Sequence, residues 1–357
     1  MRIAQIAPLY ESVPPQFYGG TERVVSYLTE ELVAQGHEVT LFASGDSQTS
    51  ARLISPRRRA LRLDGSCVDQ LACHYLMLEN VVERAHEFDI LHFHVDYLHF
   101  PFSKRCAVPH VTTLHGRLNI PELAPLHLAY PEAPLISISM SQRKPLPCVN
   151  WVGNVYHGLP APTLAPGSGK KKYLAFIGRI AREKRVDRAI EIALRSGMPL
   201  KIAAKVDPTD REYYEKEIKP LLKHPAIEYI GEIGEDQKPD FLGDAYAQVF
   251  PIDWPEPFGL CMIEAMSCGT PTIAFDCGSV SEVLRDGVSG FIVNSVEEAV
   301  AAVPKVASLS RVNCRREFDK RFLASRMAED YVRLYESLAN AENLPLAATR
   351  LDSSLTL

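Results

Sequence analysis

Short apolar runs alternate with longer amphipathic stretches along almost the whole chain, and this alternation limits the fold more than any other feature. A strand apolar on both faces must be covered on both faces, so the pattern calls for parallel sheets with helices on either side. Residues 3–7 form the first expected strand. The helix expected after Thr21 carries Val24, Val25, Leu28, Leu32 and Val33 on one face, with Thr21 as its N-cap. Residues 37–43, 90–95, 111–114 and 135–138 read as further strands. Residues 68–85 read as a helix with Leu71, Ala72, Tyr75, Leu78 and Val82 along one side.

At 357 residues the chain exceeds one ordinary core. A stretch rich in proline, glycine and lysine around residues 160–172 reads as a linker. A second strand and helix series begins at Tyr173, with strands near Leu174, Lys201, Glu228, Gln248, Thr272 and Phe291. The expected α/β architecture is therefore two Rossmann-like domains, residues 1–163 and 164–321. A last helix over residues 322–343 carries Met327, Tyr331, Leu334 and Tyr335 on one side, and residues 344–357 read as a loose tail.

A hydrophobic content of 46% is that of a globular chain, and a net charge of -5 gives no reason to expect nucleic acid. No run of about 18 apolar residues occurs, so no membrane span is expected. The start at Met1 leads into a strand rather than a signal peptide. The 8 cysteines show neither CxxC nor zinc spacing, which fits a reducing, cytoplasmic setting, with the inner face of the membrane as a further option.

The segment from Trp254 to Glu264 holds the most chemical information. Pro255 and Pro257 restrict the backbone on both sides of Glu256. Gly259 permits a close turn into a helix over residues 260–268. Gly269 stops that helix and Pro271 opens the next strand. The helix start has amides without partners and favours anions. Carboxylates that hold hydroxyls, beside a dipole that holds phosphate, suit a sugar nucleotide. The plainer reading of Glu264 is a first-turn carboxylate worth about 0.3–1 kcal/mol against the helix dipole.

This segment resembles the Glu-x7-Glu signature of family 4 type glycosyltransferases, retaining enzymes with the two-domain GT-B fold. The resemblance covers nearly the whole chain. Tyr18-Gly19-Gly20-Thr21-Glu22 resembles that family's glycine-rich loop, and Thr113-Leu114-His115-Gly116 its active-site histidine motif. Phe176-Ile177-Gly178-Arg179 with Glu183-Lys184 resembles its diphosphate clamp, and Ser267 to Pro271 and Gly278 to Val283 match the segments after the second glutamate. Two positions depart from the pattern: Arg185 stands where a glycine commonly follows the lysine, and His157 where an asparagine commonly precedes Gly158.

The resemblance implies transfer of a hexose from a nucleoside diphosphate sugar to a hydroxyl acceptor with retention, without a metal or other cofactor. No Asp-x-Asp motif suggests a divalent ion. It implies that Glu256 holds donor-sugar hydroxyls, Glu264 the ribose, and His115 the reacting sugar. Arg179 and Lys184 would stabilise the leaving diphosphate, with Gly19, Gly20, Phe258, Gly259, Leu260 and the backbone near Ile233 completing the donor site. Lys205 would add a third cation at the cleft edge, or stand at the surface. His92 and His94 share one strand face; packing or cleft lining is the plainer role than metal binding. The cluster Arg57-Arg58-Arg59 with Arg62 admits weak peripheral contact with anionic lipid or an acidic acceptor, or is a solvated loop. The oligomeric state is not legible. A nicotinamide oxidoreductase is disfavoured because no Gly-x-Gly-x-x-Gly follows the first strand. A non-catalytic carbohydrate-binding relative, a phosphorylase or an epimerase on this scaffold stay open.

Overall fold

The computed structural model describes residues 1–16, 19–161, 167 and 172–342. Most of the expected linker and the whole tail at 344–357 lie outside the described residues. In chain order the first half contains β1 (Arg2–Ile6), α1 (Gly20–Ala34), β2 (Glu38–Phe42), β3 (Arg52–Ile54), α2 (Gln70–Glu83), β4 (Ile90–Phe93), α3 (Phe100–Ser103), β5 (His110–Thr113), α4 (Leu123–Leu128), β6 (Leu135–Ser137) and β7 (Trp151–Asn154). The second contains β8 (Leu174–Arg179), α5 (Val186–Ser196), β9 (Leu200–Lys205), α6 (Arg211–Tyr213), β10 (Ile227–Gly231), α7 (Lys238–Gly243), β11 (Ala247–Phe250), α8 (Leu260–Ser267), β12 (Thr272–Phe275), α9 (Val280–Val283), β13 (Gly290–Val293), α10 (Val296–Ala302) and α11 (Arg311–Arg321). The last described helix is α12 (Ala324–Glu342).

Both sheets are parallel, in the order β3-β2-β1-β4-β5-β6-β7 and β10-β9-β8-β11-β12-β13. The strand order reverses between β1 and β4 in the first sheet and between β8 and β11 in the second. At such a reversal the following loops diverge and leave a crevice at the carboxyl ends of the strands. The strands expected from apolar runs are all present. β3 and β7 were not expected. Both are edge strands with largely half-buried residues, so neither needs an apolar run.

Two helix expectations are corrected. α1 starts at Gly20 with Gly19 in the cap position and no side-chain cap, so Thr21 lies inside the first turn instead of capping it. In α2 the buried face is His74, Met77, Leu78 and Val81, whereas Leu71, Ala72 and Tyr75 are exposed. The helix is apolar on two sides, and periodicity alone does not decide which side meets the sheet.

α12 lies against the first domain. Met327, Tyr331 and Tyr335 are fully buried with Ile3, Leu28, Val111 and Ile136. Leu334 packs so closely on β7 that a Cβ on Gly153 would stand 2.6 Å from it. The two sheets are thus tied together beyond the linker by the chain's own last helix.

Candidate active site

A crevice of about 660 Å³ lies where the two reversal points face each other. Its lining comes from both domains and includes Gly19, Gly20, His115, Arg179, Lys184, Ile233, Glu256, Phe258, Gly259, Leu260 and Glu264. A volume of this order suits a ligand the size of a nucleotide sugar.

On the first domain the loop after β1 leads to the start of α1. A Cβ on Gly19 would stand 2.8 Å from Pro15, so only glycine fits there. Gly20 faces Leu260 across the crevice, at 3.7 Å from its ideal Cβ position. The starts of α1 and α8 therefore meet at the crevice, one from each domain, and the positive ends of both helices point into it. Tyr18 lies outside the described residues.

A chain of hydrogen bonds fixes the state of His115. Gln5 Nε2 donates to Tyr335 Oη at 3.2 Å, which leaves that hydroxyl to donate to His92 Nδ1 at 2.6 Å. Gln5 Oε1 accepts from His94 Nε2 at 2.8 Å. His94 Nδ1 is then a bare acceptor for His115 Nε2, 2.9 Å away. Burial drives the His115 pKa down to about 3, and burial followed by neighbouring imidazoles holds His92 and His94 well below the ordinary value. His115 is consequently neutral, protonated on Nε2, with a lone pair on Nδ1 that meets no donor among the described residues. Its ring stacks on His157, with centroids 5.3 Å apart, and His157 sits edge-on to Phe258. The unusual His157 thus packs between the histidine motif and the second-domain loop. His92 and His94 are both buried and share one face. Their nitrogens hold Tyr335, Thr113, Gln5 and His115, so they serve as packing and as a tautomer lock.

On the second domain β8 ends at Arg179 after Gly178, whose φ is 154°. Arg179 stands amid Glu183, Asp207 and Asp210. Lys184 pairs with Glu256 and lies 4.6 Å from the ring centre of Trp254, whose Nε1 donates to the same carboxylate at 3.0 Å. Arg185, in the position where glycine is common, does adopt the left-handed backbone at φ 51°. Its guanidinium is held by Asp187 and Asp253, which offsets the cost of that conformation. Lys205 is not among the residues that line the crevice; it stands beside Arg179 on the neighbouring strand β9 and pairs with Asp207 at 2.9 Å.

The proline loop is clamped from below. Ser279 N donates to Glu256 O at 2.9 Å and Ser279 Oγ to Phe258 O at 2.9 Å. A Cβ on Gly278 would stand 2.2 Å from Glu256 N, so the second glycine motif serves to seat Glu256. Gly259, at φ 79°, turns the chain into α8, where Glu264 is buried. Lys238 on α7 bonds Glu264 at 2.7 Å and also pairs with Glu235. Burial alone would lower the Lys238 pKa, but Glu264 and Glu235 outweigh it and raise it. Glu235 in turn reaches Arg23 of α1 at 3.3 Å.

Sequence reasoning missed Lys238, Glu235 and Asp96. Asp96 lines the first-domain wall at φ 49°, and the protein mass around it raises its carboxyl to about 6 although water reaches it. Its positive φ and the pairing of Lys238 with a carboxylate 26 positions away leave no mark in local sequence. Among the described residues no helix is long and apolar enough to cross a membrane.

The family described as glycosyl transferases group 1 matches residues 165–321, and glycosyltransferase family 4 matches residues 18–146. A phosphatidyl-myo-inositol mannosyltransferase of Mycobacterium leprae is 30% identical over 139 residues, which is 37% of this chain and 37% of that one. The chain spans less than half the length of the first curated relatives it matches, 47% and 37%. Sucrose-phosphate synthase from Thermosynechococcus elongatus has the same fold, with a TM-score of 0.78 at 18% identity over 96% of this chain and 100% of that one. So does an Anabaena protein crystallised with UDP and glucose, with a TM-score of 0.73 at 16% identity over 95% of this chain and 100% of that one.

Proposed function

This chain belongs to the family 4 type of glycosyltransferases and has their GT-B fold, and from that premise we propose that it moves a hexose from a nucleoside diphosphate sugar to a hydroxyl acceptor with retained configuration. The observation that carries this reading is the convergence of two helix starts, two basic side chains and two buried carboxylates on one crevice between the domains.

The diphosphate lies between the starts of α1 and α8, next to Arg179 and Lys184. A lysine ammonium has three donors, so Lys184 can hold Glu256 and a phosphate oxygen together. As the bond from the anomeric carbon to the phosphate oxygen breaks, negative charge grows where these fixed cations and amides already stand. Glu256, oriented by Trp254 and Lys184, accepts from donor-sugar hydroxyls. Glu264 accepts from the ribose. His115, neutral and with its Nε2 committed to His94, forms part of the wall against which the donor sugar packs. The acceptor oxygen bonds to the anomeric carbon on the face the phosphate leaves, and its proton passes to the departing phosphate. Retention follows from this same-face geometry, which the resemblance supports. The bound UDP and glucose of the Anabaena neighbour support a nucleotide sugar as donor class. All 8 cysteines are free, which supports a reducing, cytoplasmic location.

Glu256→Ala is expected to lower kcat for transfer by at least about 100-fold, the scale of losing one oriented group at the reacting centre. Unchanged turnover would remove Glu256 from the mechanism. Glu264→Ala should chiefly weaken nucleoside diphosphate affinity in calorimetry; loss of kcat at intact affinity would contradict the ribose role. Phosphate-dependent cleavage or isomerised donor in the same assays would favour a phosphorylase or epimerase instead.

A further inference from the structure

The segment that leads into α2 brings two thiols together. Cys67 lies just before the helix and Cys73 within it, and their sulfurs stand 3.8 Å apart. Both side chains are partly exposed. Cys73 Sγ lies 3.6 Å from Asp69 O, to which it can donate, and Arg57 Nη1 donates to the same sulfur at 3.3 Å. Asp64 holds the Arg57 guanidinium, so a cationic donor is fixed against one sulfur of the pair. Simple packing at a helix entry calls for no such donor, whereas a guanidinium at sulfur spreads the negative charge that builds when the sulfur attacks. Burial, followed by the proton shared with Cys73, pushes the Cys67 thiol up, so Cys67 stays protonated near neutral pH. Among the described residues no group of three or more His, Cys, Asp or Glu side chains could hold a metal ion, so the pair stands as thiols.

We propose that Cys67 and Cys73 form a reversible disulfide when the protein meets hydrogen peroxide. The Cys73 sulfur attacks one peroxide oxygen. The S–O bond forms, the O–O bond breaks, and the departing hydroxide leaves as water with the thiol proton. The Cys67 sulfur then attacks the Cys73 sulfur. The S–S bond forms, the S–O bond breaks, and a second water carries off the Cys67 proton. The two thiols lose two electrons and the peroxide becomes two waters. A dithiol reductant reverses the step by exchange, as a transient disulfide in a reducing setting requires.

The disulfide acts on the crevice wall. A sulfur pair must close to about 2.05 Å to bond, which draws the turn before α2 against the helix. Cys67 N donates to Asp64 O at 3.1 Å in that turn. Just upstream, Leu61 N donates to Leu9 O at 2.9 Å and Arg62 N to Tyr10 O at 3.1 Å. His74, next to Cys73, accepts from Leu9 N at 3.1 Å. The loop after β1 is therefore held by the two segments that the disulfide joins. Tyr10, Arg62 and His74 line the first-domain side of the crevice, and the cross-link stiffens that side. That this side receives the acceptor rests on the proposed transferase reading, whereas the thiol chemistry does not.

The test exposes the full chain to hydrogen peroxide and maps its peptides by mass spectrometry. Cys67 and Cys73 should appear cross-linked, lighter by two hydrogens, and should return to thiols with dithiothreitol. Cys148, which is exposed, should stay outside any intramolecular disulfide. Arg57→Gln should slow the cross-link by about tenfold. Cys67→Ser should leave Cys73 as a sulfenic acid that dimedone captures. Amide exchange at Leu61 and Arg62 should slow by about tenfold in the oxidised protein. A pair that stays reduced at peroxide levels that oxidise Cys148 would overturn the proposal, as would an Arg57→Gln rate equal to wild type. Unchanged exchange would overturn the coupling to the crevice wall. UDP and ADP affinity, measured on the reduced protein by calorimetry, separates the two readings. Nucleotide binding without the cross-link sinks only the thiol switch, and the cross-link without nucleotide binding sinks only the transferase reading.

Discussion

At the residue scale the buried histidines make the most direct predictions. His115 falls to about 3, and His92, His94, His99 and His157 lie well below their ordinary value, in each case chiefly through burial. The folded state refuses protons that the unfolded chain accepts below about pH 6.5. Stability contributed by these groups is therefore present above about pH 6.5 and is lost as pH falls toward 3. The midpoint of urea unfolding should drop between about pH 7 and 5; a flat midpoint across that range would contradict the burial. Nitrogen NMR should show His115 protonated on Nε2 and bare on Nδ1. Tyr335→Phe removes the hydroxyl between Gln5 and His92, and should cost about 1–3 kcal/mol in unfolding free energy as buried partners lose their bonds. A variant as stable as wild type would mean the relay is slack. The histidine motif was legible in sequence as a candidate site, but its protonation was not. That depends on Gln5 and Tyr335, which stand 330 positions apart.

At the element scale the proline loop and α2 teach opposite lessons. The loop's turn chemistry is local, so Pro255, Pro257 and Gly259 announced both the acid on the loop and the helix behind it. Its seat is not local. Gly278 lies beneath Glu256 at φ 68°, in a conformation and a space that exclude a side chain. Gly278→Ala should destabilise the protein by about 1–3 kcal/mol and raise the donor KM together, because the loop must lift. Wild-type unfolding and KM would show that the loop tolerates the added methyl. In α2 both stripes satisfy the same helical period, and the sequence reading chose a face that partly meets water. Only packing against the sheet distinguishes the two.

At the scale of the whole molecule the two domains are joined by polar contacts as well as by α12. Glu282 of α9 accepts from Met140 N at 2.7 Å and Ser141 N at 2.6 Å, and from Tyr156 Oη at 3.0 Å. These join a second-domain carboxylate to first-domain donors and add a second polar link to that of the Arg23 and Glu235 pair. Glu282→Ala should let the domains spread. X-ray scattering should give a larger radius of gyration for the nucleotide-free variant, and the donor KM should rise several-fold with little change in kcat at saturation. Identical scattering and KM would mean that α12 and the linker alone set the spacing.

The sequence by itself determined the two parallel sheets, nearly every strand, the proline loop, and the residue types brought to the crevice. Those features follow from periodicity and turn geometry, which act over a few neighbouring positions. Tertiary structure alone decided which face of α2 is buried, that Lys184 and Lys238 neutralise Glu256 and Glu264, and that α12 fixes the tautomer of His115. These outcomes come from groups distant along the chain that share one low-dielectric space. Their energies depend on distance and burial in the folded molecule, which no local stretch of residues specifies.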